Sequence, residues 1–172
     1  ESQQFILGET VESFERELAE WMGLSGEVIG VSSGTDALLC GLMAVGVGPG
    51  DRVLTTPFSF FATAGVIARL GARPVFADID PVTCNLDPAS LAKHDPADFR
   101  AVIVVHLFGR TADIAAVRAW ADPAGVPVVE DAAQAVGAKD GSGTPAGALG
   151  RLGCFSFFPT KNLGAAGDAG CI

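Results

Sequence analysis

The stretch Ala101-Val102-Ile103-Val104-Val105 is apolar throughout, and four of its five residues are β-branched. Such a run favours a strand and shows no polar alternation. A strand of this kind is covered on both faces, as in the middle of a parallel sheet. On its C-terminal side, a helical pattern from Ile114 to Trp120 leads to a second apolar strand, Val126-Pro127-Val128-Val129. On its N-terminal side lie a short helix near Pro88 to Ala92, a strand Pro74-Val75-Phe76-Ala77, and a helix from about Ala62 to Leu70. Further back come strand Arg52 to Thr55, a helix opened by Ser33-Gly34-Thr35-Asp36 and running to about Val45, and strand Val28 to Val31. Val11, Phe14, Leu18, Trp21 and Met22 mark one face of an amphipathic helix. Phe155-Ser156-Phe157 is the last internal strand candidate. Repeated strand–helix alternation predicts an α/β fold with a mainly parallel sheet. The Gly-rich segment from Gly137 to Gly150 is expected to be the least ordered. Gly46-Val47-Gly48 precedes a strand and lacks the third glycine of a dinucleotide fingerprint, so it reads as a turn.

The 172 residues suffice for one domain with a sizeable core, and 49% hydrophobic against 18% charged residues describes a globular chain. A net charge of −9 argues against general affinity for nucleic acid. It leaves room for an anionic ligand, because amides at a helix start bind phosphate without net positive charge. No apolar segment is long enough to span a membrane, and no signal peptide is visible, so the cytoplasm is the default expectation. Cys40, Cys84, Cys154 and Cys171 are widely spaced and form no zinc pattern, and nothing asks for a disulfide. Cys40 sits in an apolar helical run and reads as a buried thiol. The chain opens on Glu1-Ser2-Gln3-Gln4-Phe5 and closes on Gly170-Cys171-Ile172, which resembles the first residues of a strand. It is therefore expected to be a piece of a longer polypeptide.

Open parallel sheets bind ligands beyond the carboxyl ends of their strands. Ser33, Gly34 and Thr35 begin a helix there, where free amides and the helix dipole favour an anion. By themselves they are better read as an N-cap. Phe58, Ser59, Phe60 and Phe61 follow another strand, and an aromatic at such a place can stack on a planar ring. Asp131 ends the strand from Val126, where a carboxylate is costly unless a cation or hydrogen bonds meet it. Glu130 points to the opposite face, so one of the two is expected to be solvated. Gln134 shares the side of Asp131 if a helix begins there. His106 ends a strand and reads as a satisfied core histidine rather than a catalytic one.

Lys161 is one of three lysines, and the only one set in an apolar, aromatic run, Cys154-Phe155-Ser156-Phe157-Phe158-Pro159-Thr160. Loss of hydration there disfavours its charged form. A neutral lysine amine attacks carbonyls and forms Schiff bases. An anion cradle, an aromatic face, a carboxylate and a lysine are the four requirements of pyridoxal phosphate. They serve its phosphate, its ring, its pyridine nitrogen and its aldehyde in turn.

Three motifs carry a resemblance: Ser33-Gly34-Thr35-Asp36-Ala37-Leu38, Glu130-Asp131-Ala132-Ala133-Gln134-Ala135 and Phe155-Ser156-Phe157-Phe158-Pro159-Thr160-Lys161-Asn162-Leu163-Gly164. In order and spacing they resemble the DegT/DnrJ/EryC1/StrS sugar aminotransferases, fold-type-I pyridoxal-phosphate enzymes. Phe5-Ile6-Leu7-Gly8 and Val105-His106-Leu107-Phe108-Gly109 extend the resemblance over essentially the whole chain. It implies that residues 1–172 are the three-layer, cofactor-binding large domain, ending before a smaller C-terminal domain. It implies that Lys161 carries the cofactor and shuttles a proton, and that Asp131 pairs with the pyridine nitrogen. Phe60 then stacks on the ring, with Phe61 as the neighbouring alternative. Gly34, Thr35 and Ser156 contact the phosphate, and Gln134 lies near the phenolic oxygen. Some relatives carry histidine in place of the lysine and dehydrate their substrates, so Lys161 favours transamination. The implied substrates are a keto sugar, nucleotide-linked, and glutamate or glutamine as amino donor. The implied assembly is a homodimer, in which the missing domain and the second subunit supply further contacts. A keto-cyclitol or aromatic-amine precursor is the alternative substrate. A non-catalytic regulatory module is the rival from another class.

Overall fold

The computed structural model describes residues 8–172. Phe5, Ile6 and Leu7 of the first family-like stretch lie outside the described residues. Among the described residues there are four α-helices: α1 Glu9–Met22, α2 Gly34–Ala44, α3 Phe61–Arg69 and α4 Ile114–Ala121. The strands are β1 Gly30–Val31, β2 Arg52–Thr55, β3 Arg73–Phe76, β4 Ala101–Val105, β5 Val128–Asp131, β6 Leu152–Ser156 and β7 Gly170–Cys171. They form one seven-stranded sheet in the order β1-β7-β6-β5-β4-β2-β3. The run from β6 to β3 is parallel throughout. β7 is antiparallel to both β6 and β1, so the sheet is mixed at one end.

β4 occupies the place its sequence suggests. All five of its residues are buried, with β5 on one side and β2 on the other. Alternate side chains enter two different cores. Val53, Ile103 and Val129 pack with Ala37, Leu38 and Leu42 of α2 and Val66 and Ile67 of α3. Leu54, Val102, Val104 and Val128 pack on the opposite face with Ile114 and Val117 of α4 and with Leu91 and Phe99. Helix–sheet–helix layering follows directly from this alternation. A third cluster joins Leu18 and Met22 of α1 to Phe155, Phe157 and Cys171.

Several local expectations shift. β5 runs from Val128 to Asp131, two residues later than its apolar run suggests, and β6 begins at Leu152, three residues before Phe155. Pro127 explains the first shift in part, because it has no N–H to give to a ladder. The helix expected near Pro88 to Ala92 is a 3₁₀ turn, Pro88–Lys93, capped by the Asp87 carboxylate. Cys40 is exposed, not buried. Gly34, Ala37, Leu38, Gly41 and Leu42 form the inward stripe of α2, and Cys40 falls off it.

The pair Glu130–Asp131 overturns another expectation. Both are buried. The two carboxylates do face opposite sides of β5, but neither side is water. Glu130 accepts backbone N–H groups from Gly147, Leu149 and Gly150 at 2.7, 2.7 and 2.5 Å. The Gly-rich segment expected to be loose is thus laid across β5 and tied to one side chain. Glycine permits the approach: a Cβ on Gly150 would stand 2.7 Å from the Val128 carbonyl oxygen. His106 Nε2 lies 2.7 Å from Glu130 Oε2, while its Nδ1 accepts the Ala112 amide at 3.0 Å. That second bond places the imidazole proton on Nε2, where it donates to Glu130. His106 is the satisfied core histidine the sequence suggests.

Candidate active site

A cavity of about 420 Å³ opens at the carboxyl ends of β4, β5 and β6. Gly34, Thr35, Phe60, Asp131, Gln134, Ser156 and Lys161 all line it. These positions span most of the chain. They meet because parallel strands deliver their carboxyl ends to one rim, where the loops and helix starts that follow converge.

The start of α2 forms one wall. Ser33 is the N-cap, its Oγ accepting the Asp36 amide at 3.0 Å. The cap reading of Ser33 therefore holds, and the hydroxyl is engaged. Gly34 and Thr35 are the first helical residues, and their amides have no partner within the helix. Close packing shapes the cradle. A Cβ added to Gly34 would stand 2.5 Å from Ser156 Cβ and 3.1 Å from its Cα. Gly170 of β7 presses equally closely on the backbone of Ser33 and Gly34.

Phe60 is the N-cap residue of α3 and lines the cavity with its ring 68% exposed. Phe61 is also exposed, but it lies along α3 against Gly65 and away from the cavity. Of the two neighbours, Phe60 is the one that lines the cavity.

Asp131 is 5% exposed at the end of β5. Its Oδ2 accepts the Thr63 hydroxyl at 2.8 Å, and its Oδ1 accepts the Ala133 amide at 3.3 Å. Burial pushes its carboxyl above the ordinary carboxylate range. The Thr63 and Ala133 bonds and the Lys161 charge pull only partly the other way. Among the described residues no cationic side chain lies within ion-pair distance of it. A buried carboxylate with two hydrogen bonds and no counter-ion is a seat for a ligand cation.

Gln134 reaches the same cavity without the helix that its spacing suggested, because the chain turns after β5. Its Oε1 accepts the Phe108 amide at 2.9 Å. Phe108 holds a left-handed backbone, φ 55°, to present that amide. With its oxygen engaged, Gln134 retains its NH₂ as the donor.

Lys161 lies in the turn after β6, its amide donating to the Phe158 carbonyl at 2.8 Å. It is half-buried. The aromatic run does not enclose it as expected. Phe155 and Phe157 turn away into the α1 cluster, and Phe158 is itself exposed.

The sequence gives no early sign of Thr63, which meets Asp131 across 68 residues of chain. Its one available signal is spacing, four residues after Ser59 on the first turn of α3. A larger concavity of about 720 Å³ lies at the opposite ends of the strands, lined by Arg100, Arg118 and Arg151. It contains the Arg118–Asp122 ion pair and, among the described residues, no Ser, Thr, Cys, His or Lys. Among the described residues, no cluster of His, Cys, Asp and Glu is arranged to hold a metal ion, and no helix is long and apolar enough to cross a membrane.

Fold and cavity together define an α/β protein in which a helix start, an exposed aromatic ring, a buried carboxylate and a lysine amine share one cavity. The chain belongs to the DegT/DnrJ/EryC1/StrS aminotransferase family, whose pattern matches residues 1–172. It is 52% identical over 171 residues to the pleiotropic regulatory protein of Geobacillus stearothermophilus, covering 99% of this chain and 45% of that one. It is 47% identical over 169 residues to the UDP-2-acetamido-2-deoxy-3-oxo-D-glucuronate aminotransferase of Pseudomonas aeruginosa, covering 98% of this chain and 46% of that one. The crystal structure of DesV from S. venezuelae matches with a TM-score of 0.93 at 39% identity, over 99% of this chain and 45% of that one. The chain thus spans less than half the length of these relatives.

Proposed function

We propose that residues 1–172 are the cofactor-binding large domain of a pyridoxal-phosphate-dependent aminotransferase that aminates a keto sugar. One observation carries the reading: Lys161 and the buried, unpaired carboxylate of Asp131 share a cavity with the start of α2. The residues present fit the cofactor. The Gly34 and Thr35 amides and the Ser156 hydroxyl bind its phosphate, in a cradle that a side chain on Gly34 would fill. Phe60 covers its ring. Asp131 holds the proton on its pyridine nitrogen, which supplies the cation this carboxylate lacks. Gln134 donates its NH₂ to the phenolic oxygen.

Bound there, pyridoxal phosphate supplies an electron sink for the bonds around the transferred nitrogen. Lys161 Nζ would hold the cofactor's aldehyde carbon, and the same amine would take and return the proton at the donor's α-carbon. Glutamate or glutamine gives the amino group, and a nucleotide-linked keto sugar receives it. Family membership and the named keto-sugar aminotransferase relative support this substrate class. The whole protein acts as a homodimer.

The name of the Geobacillus relative favours a second reading, a regulatory protein that keeps the fold. Lys161 and Asp131 together favour catalysis. Borohydride reduction of the complete, cofactor-loaded protein, followed by peptide mapping, should place the pyridoxyl group on Lys161. Labelling at Lys93 or Lys139 would overturn the assignment. A single turnover with glutamate separates the two readings: an aminotransferase converts its cofactor to the amine form, and a regulatory module does not.

A further inference from the structure

A line of three hydroxyl and carboxylate groups runs from the cavity wall into the sheet. Ser59 Oγ lies 2.8 Å from Thr63 Oγ1, and Thr63 Oγ1 lies 2.8 Å from Asp131 Oδ2. Ser59 faces the cavity, whereas Thr63 is 1% exposed. With Asp131 ionised, proton counting sets the direction of the line. An ionised carboxylate only accepts, so the single Thr63 proton goes to Asp131. Thr63 must then accept from Ser59. The donors are Ser59, just before α3, and Thr63, on its first turn, and the final acceptor is Asp131 on β5.

We infer that Thr63, aligned by Ser59, is a positioning residue for Asp131: its hydroxyl pins Oδ2, fixes the rotation of the carboxylate and favours its charged form. The inference rests on the proposed role of Asp131 toward the pyridine nitrogen. The opposing bond, from the Ala133 amide to Oδ1, is longer at 3.3 Å and leaves that oxygen the freer acceptor. Both bonds are charge-assisted, and the shorter one, from the Thr63 hydroxyl at 2.8 Å, is the stronger restraint. Other charged or titratable groups bearing on the carboxylate are Lys161 beyond β6, His106 beyond β4 and the Cys154 thiol on β6. Among the described residues, Thr63 is the one side chain that donates to it.

The test uses the complete protein and three variants, Thr63→Val, Thr63→Ser and Ser59→Ala. In cofactor-free protein, the carboxyl stretch of protonated Asp131 is followed against pH by difference infrared spectroscopy, with Asp131→Asn as the blank. Thr63→Val keeps the shape and loses the hydroxyl, and should raise the protonation midpoint by about one pH unit, a tenfold change in proton affinity. Thr63→Ser should restore the parent midpoint. Ser59→Ala should move it in the same direction by less, which keeps the inference testable if Thr63→Val does not fold. In loaded protein, Thr63→Val should lower kcat roughly tenfold with the KM for amino donor little changed, and Thr63→Ser should restore kcat. An unmoved midpoint in Thr63→Val, or a folded Thr63→Ser that fails to restore it, overturns the positioning role. If Asp131→Asn itself leaves turnover unchanged, the reading of Asp131 fails instead, whatever Thr63 does.

Discussion

Gly34 and Ser156 pack directly against each other in the cavity wall, with no room for a methyl group between them. A Cβ on Gly34 would sit 2.5 Å from Ser156 Cβ, where neither atom belongs to a flexible side-chain end. α2 can approach the end of β6 this closely only because position 34 has no side chain. Gly34→Ala should therefore push α2 and β6 apart, costing about 1–3 kcal/mol as overpacking does. The same displacement spoils the phosphate cradle. Thermal unfolding of the cofactor-free protein and phosphate or pyridoxal-phosphate titration should both show a loss. An alanine variant with parent stability and affinity would mean that the two elements separate freely.

Glu130 ties three parts of the chain together. It receives one hydrogen bond from His106 and three from the backbone of residues 147–150, all out of water. Glu130→Gln replaces one acceptor oxygen with a donor facing N–H groups. Stability should fall by about 3 kcal/mol, the range for breaking one partner of a buried charged network. Hydrogen exchange at the Gly147, Leu149 and Gly150 amides should rise more than exchange in α2. Uniform loosening across both regions would argue against a local tie.

Asp131 gives a stability effect opposite in sign to its effect on function. Burial raises its carboxyl above the ordinary range, so the folded, cofactor-free protein holds that proton more tightly than the unfolded chain. Stability from this group is full below the ordinary carboxylate pKa of about 3.9 and is lost as pH rises through the raised value. Asp131→Asn removes the penalty. At neutral pH the cofactor-free variant should be more stable than the parent by about 1–2 kcal/mol, and the difference should vanish in acid. Its turnover should nevertheless collapse, because asparagine cannot hold the ring proton. Denaturant curves at pH 7 and pH 4 test the sign. A variant less stable at pH 7 would show that the Thr63 and Ala133 bonds outweigh desolvation.

The cysteines divide by burial. Burial pushes the Cys171 thiol up to about 12 and the Cys154 thiol higher still, whereas Cys40 is exposed on α2. Only a thiolate alkylates readily. Iodoacetamide at pH 8 should modify Cys40 in the native protein and leave Cys154 and Cys171 intact until it unfolds. Native modification at Cys154 would mean that β6 opens easily.

The sequence alone determined the layered α/β architecture, through the apolar run 101–105 and the alternating periods around it. The motifs that carry the family resemblance also named seven residues that line one cavity, whose strand-end members meet because a parallel sheet sends the carboxyl ends of its strands to a common rim. These properties are local: periodicity, strand ends and helix starts can be read one segment at a time. Only the tertiary structure decided what surrounds each group. Glu130 is buried because a loop 17 to 20 residues away folds over it. Thr63 reaches Asp131 from α3, while Lys161 stays half-buried because its neighbouring rings turn toward α1. Cys40 is exposed because the inward stripe of α2 passes it by. Burial and hydrogen-bond partnership are set by segments that meet only once the chain has folded, and no local pattern records which segments those are.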